Sequence, residues 1–93
     1  MTVQQAMSSL HNAMKSENLR ETVRLITQGL GWLNQYHNVE SNISGFRENF
    51  VHVYLDSELT DEERNAELKR YIGPHIHLLS ILVENKPTVI HSL

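Results

Sequence analysis

A run of apolar residues at helical spacing constrains this chain more than any other feature. Between residues 19 and 33 the apolar side chains recur at intervals of four, three, four and three residues, in Leu19, Val23, Ile26, Leu30 and Leu33. This repeat matches the 3.6-residue period of an α-helix and places the five side chains on one face. A helix with one apolar face buries that face against other elements, so the repeat predicts a helical bundle.

Two further segments show the helical period. The first lies near the N-terminus, in Val3, Met7, Leu10 and Met14. The second has its apolar side chains in Ile43, Phe46, Phe50, Val53 and Tyr54. The run FVHVYL (50–55) is rich in β-branched and aromatic residues, so a strand is an alternative there. The spacing of the two phenylalanines and Val53 favours a helix.

Gly29 and Gly31 lie inside the second predicted helix. Each glycine costs about 1 kcal/mol relative to alanine in a helix interior. Either the helix ends near Gly29 and restarts, or the glycines let another backbone approach closely. We favour a single helix with a weak point at this position.

Local patterns mark where two helices begin. Thr60 with Glu63 matches a capping box, in which the Thr side chain accepts from the Glu backbone and the Glu side chain accepts from the Thr backbone. Asn18 with Glu21 resembles the same box, and Ser16 is the alternative cap for that helix. These patterns predict helix starts directly after positions 18 and 60.

The Gly73-Pro74 step predicts a boundary between two helices. Glycine is a common C-terminal stop, and proline fits the first position of a new helix. We expect that new helix to run to about Asn85, and residues 88–93 to form a short extended C-terminal tail. The predicted fold is all-α, a compact bundle of four to five short helices in one domain over residues 1–93.

The chain has 93 residues and no cysteine, which limits how it is stabilised. Disulfides and zinc sites built on thiolates are excluded, so stability comes from packing or association. No segment approaches the ~20 apolar residues of a membrane span, and the N-terminus lacks the continuous apolar run of a secretory signal. We therefore expect a cytoplasmic protein that does not bind membranes.

The net charge of −3 is unevenly distributed. Residues 1–50 contain four acidic and four basic residues, so the excess of acids follows residue 50. No basic stripe is present, which argues against direct binding to nucleic acid. Segment 56–67 is either a solvated helix start or a negative surface that docks on a basic partner, such as a nucleic-acid-binding protein. Its candidate contact residues are Asp61, Glu62 and Glu63.

The chain contains six histidines, which raises the question of a metal site. His75 and His77 are two residues apart, so on a helix they point about 200° apart and do not reach one ion. We expect His75 to pack at the start of a helix and His77 to face solvent or a partner. Glu48, His52 and Asp56 share a helix face opposite the apolar one, and we expect that face to be solvated. No metal site is predicted.

Two apolar features suggest association. Trp32 and Tyr36 lie four residues apart, on one side of the second predicted helix. They either cover the core at a second helix contact or form a binding patch, because Trp and Tyr contribute strongly at interfaces. Segment 76–83 is apolar on nearly every side. Such a helix is central in a bundle or buried in an oligomer, so a homodimer is a further expectation.

The sequence favours a binding function over an enzymatic one. It contains no nucleophile elbow, phosphate-binding loop, metalloprotease motif or dinucleotide-binding glycine pattern, so we expect neither enzyme activity nor a cofactor. The main hypothesis is a small protein that binds another protein stoichiometrically, as an inhibitor, adaptor or immunity protein. Phage and mobile-element inhibitors are often of this size, which is an analogy of size alone. The expected contacts are Trp32, Tyr36, Asp61, Glu62 and Glu63.

The alternative hypothesis is a homodimeric switch that uses the histidines to respond to pH or to a metal. Histidine is the side chain whose charge ordinarily changes near neutral pH.

Overall fold

The structure, a computed structural model, describes residues 1–84 and consists there almost entirely of helix. Its α-helices are α1 (Val3–Lys15), α2 (Leu19–His37), α3 (Ser44–Leu55) and α4 (Asp61–Glu84). A single 3₁₀ turn, Glu40–Asn42, connects α2 to α3. No strand occurs in this part of the chain. The predicted all-α bundle is confirmed, and FVHVYL is helical; the predicted tail at 88–93 lies outside the described residues.

The predicted helix starts are confirmed, with one difference in detail. The backbone N–H of Glu63 donates to Thr60 Oγ1 at 3.1 Å, and the backbone N–H of Thr60 donates to Glu63 Oε1 at 2.8 Å, which completes the capping box. Asn18 Oδ1 accepts from the backbone N–H of Glu21 at 3.1 Å, but the Glu21 carboxylate binds Arg24 instead of the Asn18 backbone. Asn18 is therefore a cap without the reciprocal half of the box.

The helix α2 continues without a break through Gly29 and Gly31. Gly29 is buried where α1 packs on α2: a Cβ added there would lie 2.9 Å from the Ala6 carbonyl oxygen and 3.0 Å from the Leu10 side chain. A Cβ at Gly31 would meet nothing within 4 Å. The single helix is confirmed, and only the first of the two glycines permits the close approach of another backbone.

The predicted helix boundary at Gly73-Pro74 is wrong, because α4 runs through both residues over its 24-residue length. A glycine stop needs the left-handed conformation, and no glycine in residues 1–84 has a positive φ. Ile72 and Ile76, on either side of the step, are both buried in the same core. Packing thus keeps the helix continuous, and Pro74 is exposed, where its missing N–H costs least. His75 consequently lies in mid-helix and not at a helix start.

The helices α1 and α2 form an antiparallel pair on which α4 packs. Ser9 Oγ donates to the Leu25 carbonyl oxygen at 2.7 Å, and Ala6 lies against Gly29, so the two helices run in opposite directions. The helix α4 contacts all three other helices, while α3 packs mainly on α4. The core that results is built from apolar side chains of all four helices and the connecting segment. Its largest fully buried members are Leu10, Ile26, Leu33, Leu68, Ile72 and Leu79.

A left-handed turn at Asn38 ends α2 and redirects the chain toward α3. Its φ of 50° and ψ of 56° suit asparagine, which tolerates this conformation better than most residues. Val39 and Ile43 of the connecting segment are buried in the core. Among the helices of residues 1–84, none has the combined length and hydrophobicity needed to cross a membrane.

Candidate protein-binding surfaces

Trp32 and Tyr36 form an aromatic pair near the C-terminal end of α2. Their ring centroids lie 4.8 Å apart at an interplanar angle of 38°. Trp32 is half-buried and packs against the core, whereas Tyr36 is 60% exposed. The ring of His37 lies 5.6 Å from that of Trp32. The ring of Trp32 therefore covers the core, and the ring of Tyr36 lies on the surface in tilted contact with it.

The acidic residues Asp61, Glu62 and Glu63 are all exposed in the first turn of α4. Two of them have local partners. Asp61 Oδ1 accepts from Arg64 Nη1 at 2.9 Å, and the Glu63 carboxylate caps the helix through the Thr60 N–H. Acidic side chains in a first turn are also stabilised by the helix dipole. Helix capping and a local ion pair therefore explain much of the acidic segment without a partner.

The aromatic pair and the acidic turn lie near opposite ends of α2. Asp61 and Arg64 line a hollow together with Asn18 and Leu19, at the start of α2. Trp32 lies 13 positions beyond Leu19 on the same helix, a distance of about 20 Å at 1.5 Å per residue. The five residues expected from the sequence therefore form two separate candidate surfaces and not one continuous patch.

The histidines in residues 1–84 do not converge on a metal site. His75 is half-buried, with its ring 5.8 Å from that of Phe46 in an edge-to-face arrangement, and His77 is exposed as expected. Glu48 and His52 are exposed on α3, in agreement with the expected solvated face. Asp56 departs from that expectation: it is the half-buried C-cap beyond the last residue of α3, and its Oδ1 accepts from the backbone N–H of Glu58 at 2.9 Å. No group of three or more His, Asp or Glu side chains in this part of the chain is placed to hold a metal ion.

Segment 76–83 divides its apolar side chains between the core and the surface. Ile76, Leu79 and Val83 are buried, which makes this part of α4 a central element of the bundle. Leu78 and Ile81 point away from the core and are 36% and 48% exposed. These two exposed side chains are the part of the segment that is accessible to another molecule.

An open cleft separates α2 from α3, and the sequence did not reveal it. Within the described chain the backbones of the two helices approach each other at few positions, although each helix packs on α4. A first hollow between them has a volume of about 320 Å³. Its lining includes Ile26, Leu30 and Gly31 from α2, and Phe46 and Phe50 from α3. Its floor is therefore apolar.

A separate second hollow lies at the start of α2, where its lining comes mainly from the α1–α2 connection, α2 and α4. It is lined by Leu19 and Val23 of α2 and Tyr54 of α3, with Arg64 of α4 at its end. The rings of Phe50 and Tyr54 stack at 6.3 Å with an interplanar angle of 11°, and each ring lines one of the hollows. We refer to the first hollow, between α2 and α3, as the α2–α3 cleft.

A network of hydrogen bonds fixes the connecting segment at one end of the cleft. Asn34 Nδ2 donates to Glu40 Oε2 at 3.1 Å, and the Glu40 backbone N–H donates to Asn34 Oδ1 at 2.9 Å. Arg47 Nη1 donates to Glu40 Oε1 at 2.6 Å. These bonds tie the end of α2 to the start of α3, so they set the distance between the two cleft walls.

Two exposed ion pairs shift pKa values without forming a site. The hydrogen bond from Arg24 lowers the pKa of Glu21, and the same contact raises the pKa of Arg24. The hydrogen bond to Glu67 likewise raises the pKa of Arg70. Each pair joins residues three apart on one helix, which is the spacing of ordinary surface pairs.

Comparison with known proteins gives this chain no family. No family model matches it, and no curated protein or solved structure is significantly similar to it. The aromatic pair, the acidic turn and the α2–α3 cleft are therefore interpreted from their own geometry.

Proposed function

We propose that this protein acts by binding another protein stoichiometrically, as an inhibitor, adaptor or immunity protein in the cytoplasm. The observation that carries the proposal is the aromatic pair: Tyr36 is 60% exposed, and its ring contacts the half-buried ring of Trp32 in a tilted arrangement. A tyrosine held in place loses little conformational freedom on binding, and Tyr and Trp are enriched among the residues that dominate interface energetics. The pair is thus suited to be the centre of an interface.

The acidic turn supports a partner with a basic surface, such as a nucleic-acid-binding protein. Glu62 is exposed between two acidic neighbours at the N-terminus of α4. A negative surface speeds the encounter with a positive partner and makes the association sensitive to salt. Because the acidic turn and the aromatic pair lie about 20 Å apart, a partner that uses both spans the length of α2.

The first experiment is capture of partners on the tagged protein from a lysate of its source, at low and at moderate salt. We expect one stoichiometric partner, and Tyr36→Ala should remove it at both salt concentrations. Leu55→Ala is the matched control, because Leu55 is 71% exposed on α3 and lies outside the pair. If the Tyr36→Ala variant still captured the partner and the Leu55→Ala variant did not, the interface would lie on α3.

Charge reversal at Glu62 tests the contribution of the acidic turn. Glu62→Lys should weaken capture and flatten its salt dependence, since it removes negative charge without breaking the Thr60–Glu63 capping box. Glu48→Lys makes the same change in charge on the exposed face of α3 and serves as the control. Equal capture by both variants would show that the acidic turn only caps α4.

A second candidate function is a homodimeric switch that responds to pH, and the position of His75 favours it. Its ring lies against Phe46 at the contact of α3 with α4, where a change in charge alters packing. Leu78 and Ile81, exposed on the same helix, offer an uncharged surface for a second copy. Sedimentation and melting temperature measured between about pH 7.5 and about pH 5.5 test this candidate. If neither the sedimentation behaviour nor the melting temperature changes with pH, the candidate is excluded. A fall in melting temperature on adding a chelator would indicate a metal-dependent form instead.

A further inference from the structure

We propose that α3 pairs with α3 of a second copy of this chain, in an antiparallel arrangement, through an outward stripe formed by Arg47, Val51 and Leu55. Residues spaced by four lie on one side of a helix, so the three side chains form one row. Self-association through this stripe goes beyond the proposed function, because the stripe is separate from the aromatic pair and from the exposed side chains of α4.

The outward stripe points away from the core. Phe46 and Val53 are the buried residues of α3, and Val51, two positions before Val53, points about 200° from it. Val51 is 48% exposed and Leu55 is 71% exposed, which is the highest exposure among the large apolar side chains of residues 1–84. Tyr54, beside Leu55, is also exposed. No other five consecutive residues in this part of the chain expose three large apolar side chains.

The surroundings of the stripe have the composition of an interface. Val51 and Leu55 line a shallow hollow on α3, together with Glu48, His52 and Asp56. An apolar centre with a polar rim is typical of protein–protein contacts. The contact is small, since a single helix pair covers less than the roughly 1,600 Å² of a standard interface, so we expect weak association.

The charges at the two ends of the stripe select the antiparallel arrangement. Arg47, at one end, is the only Lys or Arg in residues 41–63, and its side chain is 75% exposed. Asp56 and Glu58 follow the other end. A parallel pair would bring the two acidic ends together, and like charges across a contact are unfavourable. An antiparallel pair places Arg47 of each copy at the acidic end of the other.

The pattern of the stripe identifies a second copy as the occupant. Arg47 Nη1 donates to Glu40 Oε1 at 2.6 Å, and a guanidinium offers five N–H donors in all, so Arg47 keeps donors for a further contact. The stripe thus has a base at one end, acids beyond the other, and apolar side chains between them. A two-fold contact brings the same patch of both copies together, and a patch with this order of charges is complementary to itself.

The antiparallel arrangement makes Val51 face its own copy. Val51 lies at the middle of the stripe, four positions from each end. Helix axes roughly 8–10 Å apart, with Cα atoms at a radius of about 2.3 Å, bring facing Cα atoms to about 4–5 Å. A disulfide needs a Cα separation of about 4.4–6.8 Å. The chain has no cysteine, so a single introduced cysteine reports this contact alone.

Val51→Cys tests the contact directly. Under mild oxidation it should form a disulfide-linked dimer at least tenfold faster than Leu78→Cys, the matched control, which places a cysteine at an exposed apolar position of α4. Glu48→Cys mixed with Leu55→Cys tests the register, and these two variants should crosslink to each other. Leu55→Cys alone should not crosslink, because its two copies would lie about 12 Å apart along the helix axes.

Opposite charges at position 51 give a second test that does not depend on oxidation. The parent should associate in sedimentation experiments between about 10 µM and about 1 mM, whereas Val51→Lys and Val51→Glu should each be monomeric. The two variants mixed in equal amounts should associate again, since their charges then face each other. Position 51 is exposed, so equal melting temperatures of parent and variants at low concentration confirm that the fold is unchanged.

Several outcomes would refute this surface. A parent that stays monomeric at about 1 mM is one, and mixed charge variants that do not associate are another. Faster crosslinking of Leu78→Cys than of Val51→Cys would place the second copy on α4. Faster crosslinking of Leu55→Cys with itself than with Glu48→Cys would contradict the antiparallel arrangement. In each of these cases, capture of a lysate partner through Tyr36 by the Val51→Lys variant would leave the proposed function standing.

Discussion

At the scale of single residues, the missing side chain of Gly29 sets how closely α1 approaches α2. The Ala6 carbonyl oxygen and the Leu10 side chain lie within contact distance of where a Cβ would be, so the two backbones meet without a side chain between them. Gly31, two positions on, faces open space. The two glycines look equivalent in the sequence, because periodicity does not tell which one faces a neighbouring backbone.

The two glycines should respond in opposite directions to the same substitution. Gly31→Ala should stabilise the fold by about 0.5–1 kcal/mol, because alanine loses less entropy in a helix. Gly29→Ala should destabilise it by about 1–3 kcal/mol, because the new methyl group forces α1 away. Urea denaturation of both variants measures the difference. Stabilisation by Gly29→Ala would show that α1 moves aside freely.

The ion pair of Glu21 with Arg24 should be visible in a carboxyl titration. The hydrogen bond from Arg24 lowers the pKa of Glu21 in the folded state, so the pair contributes stability above the unfolded pKa and loses it as pH falls through the folded pKa. NMR titration should place the Glu21 pKa below the ordinary value, and Arg24→Gln should return it toward that value. An unchanged Glu21 pKa in this variant would assign the shift to another cause.

At the scale of elements, α4 shows where packing overrides local sequence. Glycine followed by proline ordinarily ends one helix and begins the next, and the sequence supports that prediction. Ile72 and Ile76 instead bury on one continuous face, together with Leu68 and Leu79. The apolar period across the step was the signal for one long helix. The capping box at Thr60, by contrast, depends on residues three apart and was predictable.

Replacing Pro74 should make α4 more stable. The residue is exposed inside a continuous helix, so its ring removes one backbone hydrogen bond without contributing to the core. Pro74→Ala should raise the free energy of unfolding by up to about 3 kcal/mol, measured by urea denaturation. Gly73→Ala is the comparison and should raise the free energy of unfolding by only about 0.5–1 kcal/mol, because it removes the cost of a helix-interior glycine and its Cβ would meet only the flexible end of Met14 at 3.4 Å. A loss of stability in Pro74→Ala would indicate that the core requires a bend at this step.

At the scale of the whole molecule, the helices differ in how many side chains they bury in the core. Five residues of α1 are buried, whereas α3 buries only Phe46 and Val53 and packs mainly on α4. The apolar period of each helix predicted the bundle. It did not predict the α2–α3 cleft, because the gap depends on the angle between helices joined by a buried connecting segment. The apolar face of α3 is wider than packing on one helix requires. This width was the sequence feature that could have indicated the α2–α3 cleft.

Hydrogen exchange should show α3 to be the least protected helix. A helix with few buried contacts opens at lower free energy than the elements that surround it. We expect amides of α3 to exchange at least tenfold faster than those at the centres of α2 and α4, in the regime where exchange reports opening equilibria. Equal protection in α2 and α3 would show that the molecule opens only as a unit.

The central position of α4 also has a consequence for synthesis on the ribosome. Domains fold as their residues emerge, N-terminal part first. The pair α1–α2 can form early, but the surface of this pair on which α4 packs has no cover until residues 68–83 emerge. Nascent chains that stop before α4 would expose this surface to chaperones and proteases. Premature termination within α4 should therefore lead to degradation of the whole product and not to a partly active fragment.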